Sequence, residues 1–300
     1  MTAVSLKLNR GESAIRRAAP KGLLRWLTQA TVGQVRTLIT ASWQTTRRLQ
    51  KHAYRIPMKF NDLARKAAKG PGPLSYGGSV HPEDLIRFSL AYGADGADEI
   101  ERLSKQHGWH EDGLLEDGSR VAPLARWAVA CVAYGRGGVA SLQHLLTDRT
   151  LATFAIAVLE QVRTASCVTA LLDYCMSTTA LSDEPSDPFW QALSALNTLT
   201  SFDDGLVLPQ DQQEKLRDLV IETFASATTS HQQTLCLCAL RGAPIEGALE
   251  WAEAQTVTDP TVRRAKSAAL KSLRRRLSGA YKPPSAEQKR QIRRQRALDV

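Results

Sequence analysis

Between residues 122 and 277 apolar side chains recur at intervals of three and four, and every such stripe stops within 10 to 19 positions at glycine, proline or a small polar cluster. The spacing predicts helix pairs at 122–134 with 138–147, 149–162 with 165–176, 187–200 with 210–226 and 229–241 with 244–255, then a last helix at 259–277. No strand pattern, which would alternate apolar and polar residues, competes with these. A helix pair of this size cannot bury its own apolar stripe. Neighbours must stack, and stacking yields an extended curved surface instead of a closed pocket. The expected fold class is all-α.

Upstream, His81-Pro82-Glu83-Asp84 opens a helix through Leu90 and Tyr92, with acids in the first turn where the helix dipole favours them. A second helix is expected at Asp98 to Gln106, and the glycines and acids from Gly108 to Gly118 mark a loop. Gly70-Pro71-Gly72-Pro73 can continue neither helix nor ladder and sets a boundary. Before it, Thr2 to Asn9 reads as an extended arm. A helix starts near Pro20 with Leu24, Leu27, Thr31, Val35 and Leu38 on one face, and Ser42 to Tyr54 forms a weaker one. The chain thus divides into a basic, partly helical N-terminal arm (1–72), a helical segment with an acidic loop (73–121), helical repeats (122–279) and a basic C-terminal tail (280–300).

Composition enters through charge. The 300 residues hold 39 Lys and Arg against 30 Asp and Glu, a formal charge of +9. At 43% hydrophobic and 23% charged, the chain falls outside the fully disordered, collagenous and disulfide-scaffold classes. The charge is unevenly placed: residues 1–72 carry +13, residues 73–260 carry −15 and residues 261–300 carry +11. This is an acidic body with two polycationic arms.

Five cysteines, Cys131, Cys167, Cys175, Cys236 and Cys238, sit in apolar stretches and form an odd set, which suits an intracellular reducing compartment. The longest purely apolar run, Trp127 to Tyr134, is far short of the roughly 20 residues a membrane-spanning helix needs. The first 60 residues are Arg-rich and nearly free of acids, the composition of an organellar transit peptide, so the mitochondrial matrix is one expected location and the cytoplasm the other.

Candidate catalytic and metal sites read as ordinary structure. His107, His110, Glu111 and Asp112 are dense in ligand types, but Gly108 and Gly113 place them in a solvated loop. Cys236 and Cys238 would point about 200° apart on a helix, which makes them core residues. The glycines at 70–78 lack a phosphate-loop ending, and Gly135-Arg136-Gly137-Gly138 reads as a turn between two helices. Ser79 near His81 lacks a third group to orient the pair, and Asp203-Asp204 is a solvated turn. No catalytic residue, cofactor or metal is assigned, and the chain is expected to be non-enzymatic.

The basic segments carry the sharper signal. On a helical wheel, Arg263, Arg264, Lys271, Arg274 and Arg275 fall within about 120°, opposite Val262, Ala269, Leu270, Leu273 and Leu277. One face should pack on the stack and the other form a cationic stripe. Beyond Gly279 and Pro283-Pro284, Ser285 to Gln288 makes a capping-box start. Lys289, Arg290, Arg293, Arg294 and Arg296 follow, with too few apolar residues to fold unaided. In the N-terminal arm the matching cations are Arg16, Arg17, Lys21, Arg25, Arg47, Arg48, Lys51 and Arg55, interleaved with Trp26, Trp43, Tyr54 and Phe60, which suit base stacking. These 18 cations are the candidate nucleic-acid-binding residues. Two competing destinations are the protein's own acidic body and, less favoured, an anionic membrane surface.

The segment Asp259-Pro260-Thr261-Val262-Arg263-Arg264-Ala265-Lys266-Ser267-Ala268-Ala269-Leu270 resembles the first-helix signature of HEAT repeats. Asp148, Leu151, Ala155, Val158 and Leu159 echo it, as do Asp187, Pro188, Trp190, Ala195 and Leu196; Asp187 to Asp259 spans 72 residues, about two repeats. The resemblance implies an irregular HEAT-like α-helical repeat stack, an α-solenoid with basic N- and C-terminal arms; the alternative is an irregular helical bundle. Stacks of this kind bind macromolecules. The expected function is a structural or adaptor subunit of a ribonucleoprotein such as an organellar ribosome, with RNA on the basic arms and neighbouring proteins on the acidic stack. A protein–protein adaptor, either a cytosolic scaffold or a bacterial toxin-neutralising protein, is the second reading. A third is similarity to HEAT-like alkylpurine DNA glycosylases, for which Trp127, Trp190 and Trp251 would supply the aromatics.

Overall fold

The computed structural model describes residues 59–69, 80–107, 109, 124–180, 182–202, 205–279, 285 and 287–288. The helices expected near Pro20 and over Ser42 to Tyr54, the Gly70 to Pro73 run and residues 110–123 lie outside the described residues. Among the described residues the secondary structure is helical, with no strand: α1 (Phe60–Ala67), α2 (Pro82–Gln106), α3 (Leu124–Leu146), α4 (Ala152–Val162), α5 (Ala165–Ser177), α6 (Pro188–Thr200), α7 (Gln210–Ser226), α8 (Ser230–Leu240), α9 (Glu246–Ala254) and α10 (Pro260–Leu277).

Local chemistry sets where the helices begin. Asp187 accepts from the Phe189 N–H at 2.9 Å, and Asp259 accepts from the N–H groups of Thr261 and Val262 at 2.7 and 3.1 Å. Each aspartate satisfies N–H groups that have no partner within the helix, and the proline that follows it occupies a first-turn position where its missing N–H costs nothing. Thr229 and Gln232 exchange hydrogen bonds across the first turn of α8 in a capping box. The same reciprocal pair forms between Ser285 and Gln288, as the sequence predicts.

Two helix breaks fall at glycines. The two helices expected on either side of residue 93 are both present within α2, which breaks at Gly93 (φ 54°, ψ −124°). The break expected at glycines 135–138 falls at the last of them: the first helix of α3 continues through Gly135 and Gly137, and the second starts after Gly138 (φ 62°, ψ −148°). Both breaks take a positive φ that only glycine adopts without strain. α2 and α3 pack together so closely that a Cβ on Gly135 would lie 2.5 Å from the Gly93 carbonyl oxygen and 2.9 Å from the Ala97 Cβ. A helix the sequence reading omitted, α1, packs on α2 with Leu63 and Ala67 buried. Phe60 stands against Phe88 and Tyr92, with ring centroids 5.2 and 5.1 Å away, so it serves this contact.

From α4 onward each even-numbered helix packs on the next even-numbered one: α4 on α6, α6 on α8 and α8 on α10. The odd-numbered helices do the same, α3 on α5 and α5 on α7. Consecutive helices α5 and α6, α7 and α8, and α9 and α10 close the two rows against each other. Leu159, Leu171, Leu193, Leu196, Leu216, Leu240 and Leu273 are buried between the rows, and the small residues Ala155, Ala192, Ala195, Ala239 and Ala269 let helix axes approach. Edge-to-face aromatic pairs pin neighbours, Trp127 on Phe154 and Phe224 on Trp251. All five cysteines are free; four are buried and Cys238 is half-buried. Burial raises the thiols of Cys131 and Cys175 and pushes Cys236 up to about 12. Among the described residues no helix is long and apolar enough to cross a membrane.

Candidate nucleic-acid interface

α10 carries the described part of the cationic stripe. Val262, Ala269 and Leu273 are buried, and Leu270 and Leu277 are half-buried. The opposite arc is exposed at Arg263, Arg264, Ser267, Ala268, Lys271, Arg274, Arg275 and Ser278. The amphipathic reading of residues 262–277 therefore matches the packing. Asp259 fixes the start of the helix, and Arg276, on the inner side, fixes its end by donating to the carbonyls of Thr200 and Arg241 at 3.2 and 3.1 Å.

Those two carbonyls lie at the C-terminal ends of α6 and α8, where backbone oxygens lack helical donors and the dipole is negative. Lys266 does the same for α9, donating to the carbonyls of Glu253 and Gln255 at 2.9 and 2.6 Å. Two of the seven cations of α10 thus act as C-terminal caps on neighbouring helices.

The five stripe cations are not equivalent. Arg274 donates to Glu253 Oε1 at 2.6 Å, a surface pair contributed by α9. Arg263 donates to the Thr258 carbonyl at 2.9 Å. Arg264 and Lys271 make no ion pair or hydrogen bond with another described residue. Glu253 is the residue that sequence reasoning missed, because it stands 21 positions from its partner and outside any local pattern.

The remaining candidates, Arg16, Arg17, Lys21, Arg25, Arg47, Arg48, Lys51, Arg55, Lys289, Arg290, Arg293, Arg294 and Arg296, lie outside the described residues. No match to a known family model, curated protein or solved structure was found.

His107 caps the end of α2, while His110, Glu111, Asp112, Ser79, Asp203 and Asp204 lie outside the described residues. Among the described residues no three His, Cys, Asp or Glu side chains converge as metal ligands would. Trp190 is buried and donates from its ring nitrogen to the Ser182 carbonyl at 3.0 Å; Trp127 and Trp251 are half-buried in the aromatic pairs between helices. Exposed acids stand on α7 and α9, the second of which packs on α10. α7 exposes Asp211, Asp218 and Glu222, and α9, joined to α7 by the Phe224–Trp251 contact, exposes Glu246, Glu250 and Glu253.

Proposed function

We propose that the protein is a non-enzymatic structural or adaptor subunit of a ribonucleoprotein. It binds RNA through its basic segments and neighbouring proteins through an acidic HEAT-like α-solenoid. The carrying observation is the exposed arc of α10, where five cations stand opposite a buried apolar face on a helix fixed at both ends. Arginine suits phosphate because its planar fork bonds two oxygens at once. The solenoid reading is supported by the two rows, in which α4, α6, α8 and α10 pack in succession and α3, α5 and α7 do likewise, the order expected when helix pairs stack. The Asp-Pro starts of α6 and α10 add a recurring local signature. A reducing compartment such as the mitochondrial matrix or the cytoplasm accords with five free cysteines.

The protein-binding half of the proposal is favoured by a separate observation, the exposed acids of α7 and α9, the latter packed on the cationic helix. A partner with a basic surface would find its complement there. Ultraviolet crosslinking of the full chain to a labelled RNA tests the reading. Crosslinked peptides should come from residues 1–72 and 261–300, and crosslinks confined to residues 73–260 would overturn it.

A further inference from the structure

We propose that the exposed face of α10 grips the phosphate backbone of double-stranded RNA without reading its bases, and that Glu253 holds one of its cations back. The inference rests on the RNA-binding reading and names the form of RNA that this face takes.

The face consists of Arg263, Arg264, Ser267, Ala268, Lys271, Arg274, Arg275 and Ser278. None is aromatic, so a splayed single strand finds no ring on which to stack, and stacking supplies much of the affinity for single strands. None is Asn, Gln, Asp or Glu, the partners that read adenine and cytosine edges. Arginine can read guanine only where it reaches a major groove, and the A-form major groove is too deep and narrow for side chains. What remains is charge at fixed separation. With a rise of about 1.5 Å per residue, Lys271 lies about 10 Å and Arg275 about 16 Å along the axis from Arg264.

The helix holds those separations because Asp259 caps its start, Arg276 is tied to α6 and α8 at its end, and Val262, Ala269 and Leu273 are buried between. A rigid row of cations suits a polyanion whose phosphates are themselves held in place, as in a duplex. A single strand would lose chain freedom on this face and gain no stacking in return. Ser267 and Ala268 leave the middle of the row low enough for a backbone to approach.

Glu253 sets the available charge. Its carboxylate neutralises Arg274 within the protein, so this cation must exchange one oxyanion for another when phosphate arrives. Neutralising Glu253 removes the competitor and leaves the cation in place.

The test uses the full chain, with fluorescence anisotropy against RNA duplexes of two unrelated sequences, a single strand of equal length, a DNA duplex and vesicles containing anionic lipid. The variants are Arg264→Gln with Lys271→Gln, and Glu253→Gln. The first two positions are exposed and without partners among the described residues, so thermal melting should be unchanged. The double variant should lower duplex affinity for both sequences alike, reduce the slope of log K against log salt by about 2, and affect the single strand less. Glu253→Gln should raise duplex affinity about two- to fivefold at 50 mM salt, the worth of an exposed ion pair. A stronger loss on RNA than on DNA duplex would identify A-form RNA as the source of the phosphates. Unchanged duplex binding by both variants, in a chain that still binds RNA, overturns this proposal and leaves the RNA reading standing. A greater loss on the single strand or on vesicles overturns it as well. Absence of any RNA binding by the unaltered chain overturns both.

Discussion

The Ser230 hydroxyl donates to Asp259 at 2.9 Å, joining the first turn of α8 to the carboxylate that caps α10. A parallel bond runs from Gln232 to Asp183 at 2.9 Å, so the start of α8 is tied to the segment before α6 as well. Three successive helices of one row are therefore linked at their N-terminal edge by polar side chains, with the apolar contacts running between them.

Asp259→Ala removes two cap bonds and the Ser230 link at once. The melting temperature should fall by several degrees, and Asp259→Asn should recover most of the loss because an asparagine carbonyl still accepts from the backbone. Thermal melts followed by circular dichroism distinguish the two.

Acid should weaken the same edge. Hydrogen bonds from Val262, Ser230 and Thr261 lower the Asp259 carboxyl below its ordinary 3.8, and bonds from Gln232 and Thr228 do so for Asp183. Lys105 and Arg136 hold Glu101 at about 2, against an ordinary 4.5. A carboxyl lowered in the folded state adds stability above its ordinary value, and that stability disappears as pH falls through the lowered one. The urea midpoint should hold steady at pH 5 and above and drop below pH 4. A chain with Asp259→Asn and Glu101→Gln should show a flatter profile over that range.

Asp84 is buried at 1% exposure and accepts from Lys66, Arg87 and the His81 N–H at 2.8 to 3.0 Å. Asp84→Ala takes the shared carboxylate away from Lys66 and Arg87 and weakens the contact of α1 on α2. The loss should be about 2–3 kcal/mol, below the largest values for buried pairs because Lys66 is 35% exposed. Urea unfolding gives the value.

Gly135→Ala reverses the usual helix rule. Alanine ordinarily gains up to about 1 kcal/mol over glycine in a helix, but here its methyl would meet the Gly93 carbonyl and Ala97 Cβ. A net destabilisation of about 1–3 kcal/mol is expected from the overpacked crossing. Equal or higher stability in urea would contradict the close approach of α2 and α3.

Asp187-Pro188 and Asp259-Pro260 announce helix starts because caps are local, and the wheel of α10 correctly separates Val262, Ala269 and Leu273 from the five stripe cations. Arg276 falls on the inner side of that wheel, yet its partners Thr200 and Arg241 are 76 and 35 positions away, so its capping role is visible only in three dimensions. Asp84 reads as a first-turn acid, which it is; its burial beneath Lys66 depends on α1, eight residues whose signal is the spacing of Phe60, Leu63 and Ala67. The breaks at Gly93 and Gly138 were legible as glycines, and the close approach of Gly135 to Gly93 was not, because it depends on how two helices cross.

The most direct test of the account is the salt dependence of RNA affinity for the full chain between 50 and 200 mM. If six to ten phosphates are contacted by the basic segments, affinity should fall by roughly 10³ to 10⁵ over that interval. An affinity that barely changes with salt, or no measurable binding at 50 mM, would contradict it.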